Sequence, residues 1–184
     1  YAPKIFASLG AAADAAMLNT IVIGGSMVVF TVVAIGCVDR WGRRPLLLLA
    51  SAGMAGSLFM FSGVAYLQKT GPWALLLILV YIASFSIAMG PVVWVVLAEI
   101  FPNRVRGRAL SVATFFLWIA NYVVSQTFPV LNDHPYLVSR FHHAFPFWVY
   151  GSLSVIAFVF IWRWIPETKG RTLEEIEQYW KGQK

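Results

Sequence analysis

Residues 72–98, with the sequence PWALLLILVYIASFSIAMGPVVWVVLA, form an uninterrupted run without Asp, Glu, Lys or Arg. The hydrocarbon core of a bilayer is about 30 Å thick, and an α-helix needs roughly 20 apolar residues to cross it. Four further uncharged runs of comparable length flank this one, at residues 15–38, 45–67, 109–131 and 144–162. The sequence therefore predicts an all-α polytopic membrane protein with five transmembrane helices.

The overall composition agrees with a lipid environment. Of the 184 residues, 59% are hydrophobic and only 12% are charged, whereas soluble domains are typically about 25% charged. So few charged side chains cannot cover a water-exposed surface, which disfavours a soluble enzyme or a nucleic-acid binder despite the net charge of +6. The high apolar content also excludes intrinsic disorder, and the single Cys37 excludes an internal disulfide.

Basic residues are distributed unequally between the two sides of the predicted bundle. Lys4, Lys69 and Arg140 fall on one side. The other 11 of the 14 basic residues fall on the opposite side: Arg40, Arg43, Arg44, Arg104, Arg106, Arg108, Arg163, Lys169, Arg171, Lys181 and Lys184. The positive-inside rule places the richer side in the cytoplasm, so we expect a cell-membrane protein with a cytoplasmic C-terminus.

The domain organisation predicted from these runs has three parts. Residues 1–14 are expected to be the end of a preceding helix and an outer loop. Residues 15–162 form the transmembrane bundle, and residues 163–184 form a tail with a short amphipathic helix, for which 172–175 provides a capping box. Because the chain starts inside an apolar segment and has an odd number of spans, we expect further helices upstream.

Three segments on the basic-rich side each combine an acidic residue with arginines. They read DRWGRRP at residues 39–45, EIFPNRVRGRA at 99–109 and PETKGR at 166–171. Carboxylates in these positions can pair with guanidinium groups on neighbouring helix ends. The alternative is that the residues only fix the topology and contact lipid headgroups. Gly42 in the first segment allows a tight turn that other residues resist.

The third and fourth spans carry the candidate binding residues. The third is interrupted by Gly90-Pro91, where a backbone hydrogen bond is lost, and Trp94 follows this break. Broken helices mark binding sites in transporters, although a structural kink beside a packed Trp is the alternative. In the fourth span, one helical face carries Trp118, Asn121, Tyr122 and Ser125. Asn121 must bond to another helix, to water or to a ligand, because an unpaired amide in lipid is costly.

Together these segments resemble the C-terminal half of the sugar-porter family of the major facilitator superfamily. The motifs DRWGRRP, GPVVW, EIFPNRVRGRA and PETKGR occur in that family's order. Since the family has twelve helices, the resemblance implies that the five spans correspond to helices 8–12. It implies transport of a monosaccharide, a pentose or a hexose, by alternating access. Proton symport is expected, but its coupling acid would lie in the missing N-terminal half. A sugar-sensing receptor that does not transport is the alternative.

The resemblance also implies residue roles. The sugar site would be lined from this half by Trp94, Trp118, Asn121, Phe85 and Gly90. A cytoplasmic gate of salt bridges would comprise Asp39, Arg43, Arg44, Glu99, Arg106, Glu167 and Arg171. Phe85 and Trp94 are nine residues apart, about half a turn on an ideal helix, so they can share a cavity only if the break reorients the helix.

Two positions depart from the family pattern, which leaves the identity of the sugar open. Leu117 stands where the family usually has Asn or Gln, and Met27 stands where it often has Asn. No catalytic grouping is visible, so we expect no enzymatic activity, no cofactor and no metal. The outer-loop His134, His142 and His143 are interpreted as solvated. The expected partners are a small sugar, the lipid bilayer, the missing half of the chain and protons, with no nucleic acid.

Overall fold

The computed structural model describes residues 13–68, 72–101, 105–170 and 175. The predicted helix end before residue 13, Arg171 of the predicted gate and most of the predicted tail helix lie outside these ranges. The described residues contain helices and turns and no β-strand. The helices are α1 (Ala13–Trp41), α2 (Arg43–Tyr66), α3 (Pro72–Ser84), a π-helical turn (Phe85–Met89), α4 (Pro91–Ile100), α5 (Arg106–Asp133), α6 (Pro135–Phe141) and α7 (Phe145–Trp164).

Five helical segments are long and apolar enough to cross a membrane. They are Ile21–Trp41, Arg43–Tyr66, Trp73–Ile100, Arg106–Asp133 and Phe145–Trp164. This confirms the prediction of an all-α chain with five membrane helices. Because successive spans run in opposite directions, one end of the bundle collects the α1–α2 turn, the end of α4, the start of α5 and the end of α7. We call this the charged end.

The third span is built from three pieces, and its break falls at the predicted position. The backbone N–H of Gly90 donates to the carbonyl of Phe85 at 3.0 Å, which is the wider hydrogen-bonding pattern of a π-helix. Pro91 then begins α4, where its missing N–H costs nothing. Gly90 keeps helical angles, φ −69° and ψ −72°, so the span continues across the break rather than reversing.

Helix α2 is the centre of the packing and contacts α7 and α3 most extensively. One apolar core near the charged end joins Leu46 and Leu47 of α2 to Val92 and Val96 of α4. A second core at the opposite end is built around Phe61, Phe128 and Phe147. Helices α2 and α3 approach closely beside Gly53, where an added Cβ would lie 2.3 Å from the Ser84 hydroxyl oxygen. Small residues allow such approach in lipid.

Helix α5 is covered by the other described helices far less than α2 is. None of the residues in its most apolar 18-residue window is buried, and only Phe128 and Asn132 near its end are buried. A cavity of about 740 Å³ separates α5 from α2, α3 and α7. The described helices therefore form a closely packed group around α2, and α5 lies beside this group with a cavity between them.

Candidate functional site

The turn between α1 and α2 is shaped around a carboxylate from the tail. Gly42 has φ 89° and ψ 163°, a conformation that is essentially restricted to glycine. The Glu167 carboxylate accepts hydrogen bonds from the backbone N–H groups of Arg43 (3.0 Å) and Arg44 (3.1 Å). The first N–H groups of a helix have no partner within it and favour a negative charge. Glu167 thus caps α2 from 124 residues along the chain.

The Arg43 side chain joins two acidic residues on different helices. Its Nη2 donates to Glu99 Oε1 at 3.2 Å, and its Nη1 lies 3.6 Å from Asp39 Oδ1. The other oxygen of Glu99 accepts a hydrogen bond from the Thr168 hydroxyl at 2.5 Å. The Arg43 side chain is only 17% exposed. These bonds therefore tie together the ends of α1, α2 and α4 and the segment after α7.

Three other basic residues of this end bind backbone carbonyls. Arg44 donates to the carbonyl of Trp162 at 2.6 Å, Lys169 to that of Arg40 at 2.5 Å, and Arg106 to that of Phe101 at 3.4 Å. Of the predicted gate residues, Asp39, Arg43 and Glu99 form ion pairs, whereas Glu167 bonds to backbone N–H groups. Among the described residues, the buried Arg43 Nε, Arg44 Nε and Arg106 Nη2 have no hydrogen-bond partner.

Sequence reasoning missed the part played by Thr168. This residue is only 3% exposed and lies inside the PETKGR segment that the sequence had already singled out. A threonine after the last span, followed by Lys and Gly, is by itself typical of a solvated tail. The available signal was the neighbouring Glu167. Because this residue binds the start of α2, it brings Thr168 to the charged end as well.

Part of the predicted sugar site lines the cavity beside α5. Phe85 and Asn121 line it, together with Tyr81, Met89 and Tyr150. Its surface is mostly apolar, and the amide of Asn121 and the hydroxyl of Tyr81 are among its few polar groups. Gly90 packs over Phe85, with an added Cβ 3.8 Å from the ring. The structure therefore brings Phe85, Gly90 and Asn121 to one region of the bundle.

The two predicted site tryptophans do not line this cavity. Trp94 is 44% exposed and Trp118 is 63% exposed on the surface of the described bundle. Phe85 lines this cavity and Trp94 does not, so the two side chains do not share it. That Phe85 and Trp94 contact one ligand stays a prediction.

The fourth span presents a different face to the cavity than its polar pattern suggests. The residues of α5 that line the cavity are Leu117, Asn121, Val124, Ser125 and Phe128, whereas Tyr122, like Trp118, is exposed. The cavity-facing stripe is therefore shifted by one residue from the predicted stripe. Leu117, one of the two departures from the family pattern, lines the cavity, and Met27 on α1 is 45% exposed.

The opposite end of the bundle contains the histidines that the sequence predicted to lie in an outer loop. His143 Nδ1 lies 2.9 Å from the carbonyl oxygen of Asn132, and the ring of His142 lies 5.9 Å from that of Tyr66. Among the described residues, no three His, Cys, Asp or Glu side chains are grouped so that they could hold a metal ion. Five membrane helices, one of them broken, and a partly buried charged cluster at one end define this chain as a polytopic α-helical membrane protein.

Comparisons with known proteins narrow this class to a family. The model of the family described as "Sugar (and other) transporter" matches residues 1–180. The D-xylose-proton symporter of Escherichia coli (strain K12) is 48% identical over 181 residues, which cover 98% of this chain and 37% of the symporter. The glucose facilitated diffusion protein of Zymomonas mobilis is 41% identical over 184 residues, which cover 100% of this chain and 39% of that protein.

A crystal structure of a double tryptophan variant of XylE, a proton:xylose symporter of the major facilitator superfamily, is similar to this fold. Its TM-score is 0.91 at 48% identity, and the match covers 98% of this chain and 38% of the XylE chain. The chain therefore belongs to the sugar transporter family of the major facilitator superfamily, as its motifs predicted. It spans a little over a third of the length of these relatives.

Proposed function

We propose that this chain is the C-terminal part of a carrier that moves a monosaccharide across the cell membrane by alternating access. The order of its motifs, and its coverage of 37–39% of two sugar-transporting relatives, support this placement. The five membrane helices then correspond to helices 8–12 of twelve. We assign the residues before α1 to the end of helix 7 and an outer loop, and those after α7 to a tail on the cytoplasmic side. The bundle runs from Ala13 to Trp164, two residues longer at each end than the sequence predicted. The carrier makes and breaks no covalent bond.

The observation that carries this proposal is the broken third span with Trp94 just after the break. In lipid, a π-helical turn followed by Gly-Pro is tolerated where the freed backbone groups face protein or a polar cavity. Trp94 and Trp118 remain exposed on the described bundle, so both indoles are available to a ligand shared with another part of the protein. An indole offers a flat apolar face to a sugar ring and an N–H donor to a hydroxyl group.

The polar residues near the break support a sugar rather than an apolar substrate. Asn121 brings an amide, with two donors and an acceptor, to the middle of the fourth span. Leu117 beside it offers no hydrogen bond, so this half supplies fewer polar contacts than the family pattern implies. We therefore propose a pentose or a hexose as substrate, with D-xylose as the first sugar to test because of the 48% identical symporter.

Proton symport is the coupling we propose, with its carboxylate in the absent N-terminal half. Within the five spans, acidic residues occur only near the ends, as Asp39, Glu99 and Asp133 do, whereas a coupling carboxylate is expected inside the membrane. One relative is a proton symporter and another a facilitated diffusion protein. The residues of this half are compatible with either mode.

The charged end is proposed as the C-terminal side of a cytoplasmic gate. Its arginines retain buried N–H groups without partners among the described residues, which suits acidic residues contributed by the other half. Individual ion pairs at a surface are worth only about 0–1 kcal/mol. A latch of several such pairs can therefore be opened by a modest difference in substrate affinity between two conformations.

Exchange of labelled sugars by the full-length protein in proteoliposomes tests the proposal. We expect exchange of a pentose or a hexose, and we expect Trp94→Ala to lower it by roughly tenfold or more, because an aromatic contact worth about 1.4 kcal/mol is lost. Trp73→Ala is the matched control, since Trp73 is also exposed but lies at the other end of the span. It should leave exchange unchanged.

Two results would contradict the proposal in different ways. Normal exchange by the Trp94→Ala variant would remove the assigned site. No exchange of any sugar in a panel of pentoses and hexoses, combined with retained sugar binding, would favour a sensor over a carrier.

A further inference from the structure

Thr168 is buried at the charged end although its neighbours in the chain reach solvent. It is 3% exposed, whereas Lys169 and Gly170, which follow it, are exposed. A buried hydroxyl needs a hydrogen-bond partner. Its oxygen lies 2.5 Å from Glu99 Oε2, the short separation typical of a hydroxyl that donates to a carboxylate.

The hydroxyl completes the hydrogen bonding of Glu99 within this chain. Glu99 Oε1 accepts from Arg43 Nη2 at 3.2 Å, and Oε2 accepts from Thr168. Both oxygens of Glu167 are also engaged, by the backbone N–H groups of Arg43 and Arg44 and additionally of Lys169 at 2.9 Å. By contrast, the side chain of Asp39 is 83% exposed, and its distance from Arg43 is the longer one, 3.6 Å.

The carboxylates of the charged end therefore fall into two groups: Glu99 and Glu167 are fixed by hydrogen bonds, whereas Asp39 is largely exposed. Glu99 and Glu167 are bonded from two sides inside the described bundle, and Thr168 is the link that brings the tail to Glu99. A charge-assisted hydrogen bond is roughly twice as strong as a neutral one. Its loss leaves a carboxylate oxygen without a donor in a partly enclosed position, which is costly.

We propose that Thr168 is a positioning residue of the gate. Its hydroxyl holds Glu99 towards Arg43, so that the segment after α7 clasps the end of α4 to the α1–α2 turn. This inference rests on the proposed function, because it assigns the gate a fixed clasp made within this half. If this hydrogen bond is lost, the helix ends at the charged end are held together less firmly, and they separate more often.

Cys37 provides a probe that does not depend on transport. It lies on α1 two residues before Asp39, is partly buried, and packs against the apolar core below the charged end. Its rate of labelling by a maleimide therefore reports opening of this end. The measurement uses the full-length protein in nanodiscs, with any cysteine outside this chain replaced by serine.

Three variants separate the hydroxyl from the rest of the side chain. Thr168→Val keeps the shape and removes the hydroxyl, and we expect Cys37 to be labelled about tenfold faster, in line with the strength of a hydrogen bond to a charged group. Thr168→Ser keeps the hydroxyl and should label within about twofold of the parent. Thr31→Val is the control, since that hydroxyl bonds only to the Met27 carbonyl in its own helix, and it should not change the rate.

A double-variant comparison identifies the partner. If Thr168 acts through Glu99, the change caused by Thr168→Val should nearly vanish in a Glu99→Gln background, because residues that share one interaction are not additive. Fully additive changes, or a parental labelling rate in Thr168→Val, would overturn the proposal. If Thr168→Val does not fold, the labelling rate of Cys37 in Thr168→Ser tests the proposal instead. A parental labelling rate supports a role for the hydroxyl, and a raised rate shows that the methyl group matters instead.

The failure of this inference can be distinguished from failure of the proposed function. A protein that exchanges sugar normally but labels at the parental rate in Thr168→Val would contradict the clasp alone. A protein that transports no sugar, yet shows the expected labelling changes, would contradict the carrier and keep Thr168 as the residue that holds Glu99.

Discussion

The charged end and the middle of the bundle are held together in opposite ways. At the charged end, Glu99 and Glu167 accept directional hydrogen bonds from α2 and from the tail, so three separate parts of the chain, α2, α4 and the segment after α7, meet at fixed distances. In the middle, α5 contacts its neighbours only sparsely, and a cavity of about 740 Å³ lies beside it. One region is specified by charge and geometry, whereas the other has few contacts and few buried residues.

The difference follows from the directionality of the two interactions. A carboxylate that accepts two or three N–H groups has one arrangement that satisfies all of them, whereas dispersion and lipid exclusion tolerate many arrangements of an apolar helix. The charged end is thus suited to serve as a fixed reference. The side of the bundle that contains α5, Asn121 and the exposed Trp118 can adjust to a ligand or to another part of the protein.

The largest loss of stability is expected from Gly42→Ala, which disturbs the α1–α2 turn at the charged end. An alanine would have to adopt a conformation essentially restricted to glycine, and its Cβ would lie 2.8 Å from Glu167 Oε2. We expect a loss of about 3 kcal/mol, from backbone strain and displaced charged hydrogen bonds. The apparent Tm of the full-length protein in detergent should fall clearly.

Gly63→Ala is the matched control for this variant. Gly63 lies on α2, and an added Cβ meets no atom within 4 Å. Its Tm should stay the same or rise slightly, because alanine favours a helix. An unchanged Tm in Gly42→Ala would mean that the α1–α2 turn is not the rigid element described above.

A smaller effect is expected from Gly53→Ala, which tests the packed α2–α3 contact that borders the middle region. The new Cβ would lie 3.1 Å from the Ser84 Cβ and closer still to its hydroxyl oxygen. Overpacking of this kind costs about 1–2 kcal/mol. The Tm should fall moderately and recover in part when Ser84→Ala is added. Gly56→Ala, three residues along the same helix with open space around it, should not lower the Tm.

The smallest effect is expected from Tyr150→Phe, which removes a polar link between α5 and α7. The Tyr150 hydroxyl lies 2.9 Å from Thr127 Oγ1 and donates weakly to the Val124 carbonyl at 3.4 Å. Hydrogen bonds between membrane helices contribute about 0.6 kcal/mol on average, so the Tm should shift only slightly. Tyr136→Phe on α6 serves as control. A shift as large as that of Gly42→Ala would show that α5 is fixed by polar bonds after all.

The sequence predicted well those features that depend on one short stretch of chain. Five uncharged runs gave the number of membrane helices, because the bilayer sets a minimum length for each. Gly90-Pro91 predicted the break in the third span, and Gly42 predicted a tight turn, since both depend on local backbone chemistry. The family motifs also predicted the family that the comparisons then confirmed.

The sequence pattern of the fourth span did not indicate which residues line the cavity, and the role predicted for Trp118 stays a prediction. The stripe through Trp118 and Tyr122 and the stripe through Leu117 and Val124 share Asn121 and Ser125, and their mean directions differ by a rotation of only about 65°. The polar and aromatic pattern favoured the first stripe, whereas packing turned the second towards the cavity. Amphipathic periodicity is a weak guide here, because both faces of a membrane helix are apolar.

The sequence alone determined that this chain spans a membrane five times, where the third helix breaks and which family it belongs to. Only the tertiary structure decided that Glu167 caps α2, that Thr168 holds Glu99, and that α5 presents Leu117 rather than Trp118 to the cavity. The physical reason is distance along the chain. Helix length and turn geometry are properties of neighbouring residues, whereas the partner of a carboxylate 124 residues away is set only when the helices have packed.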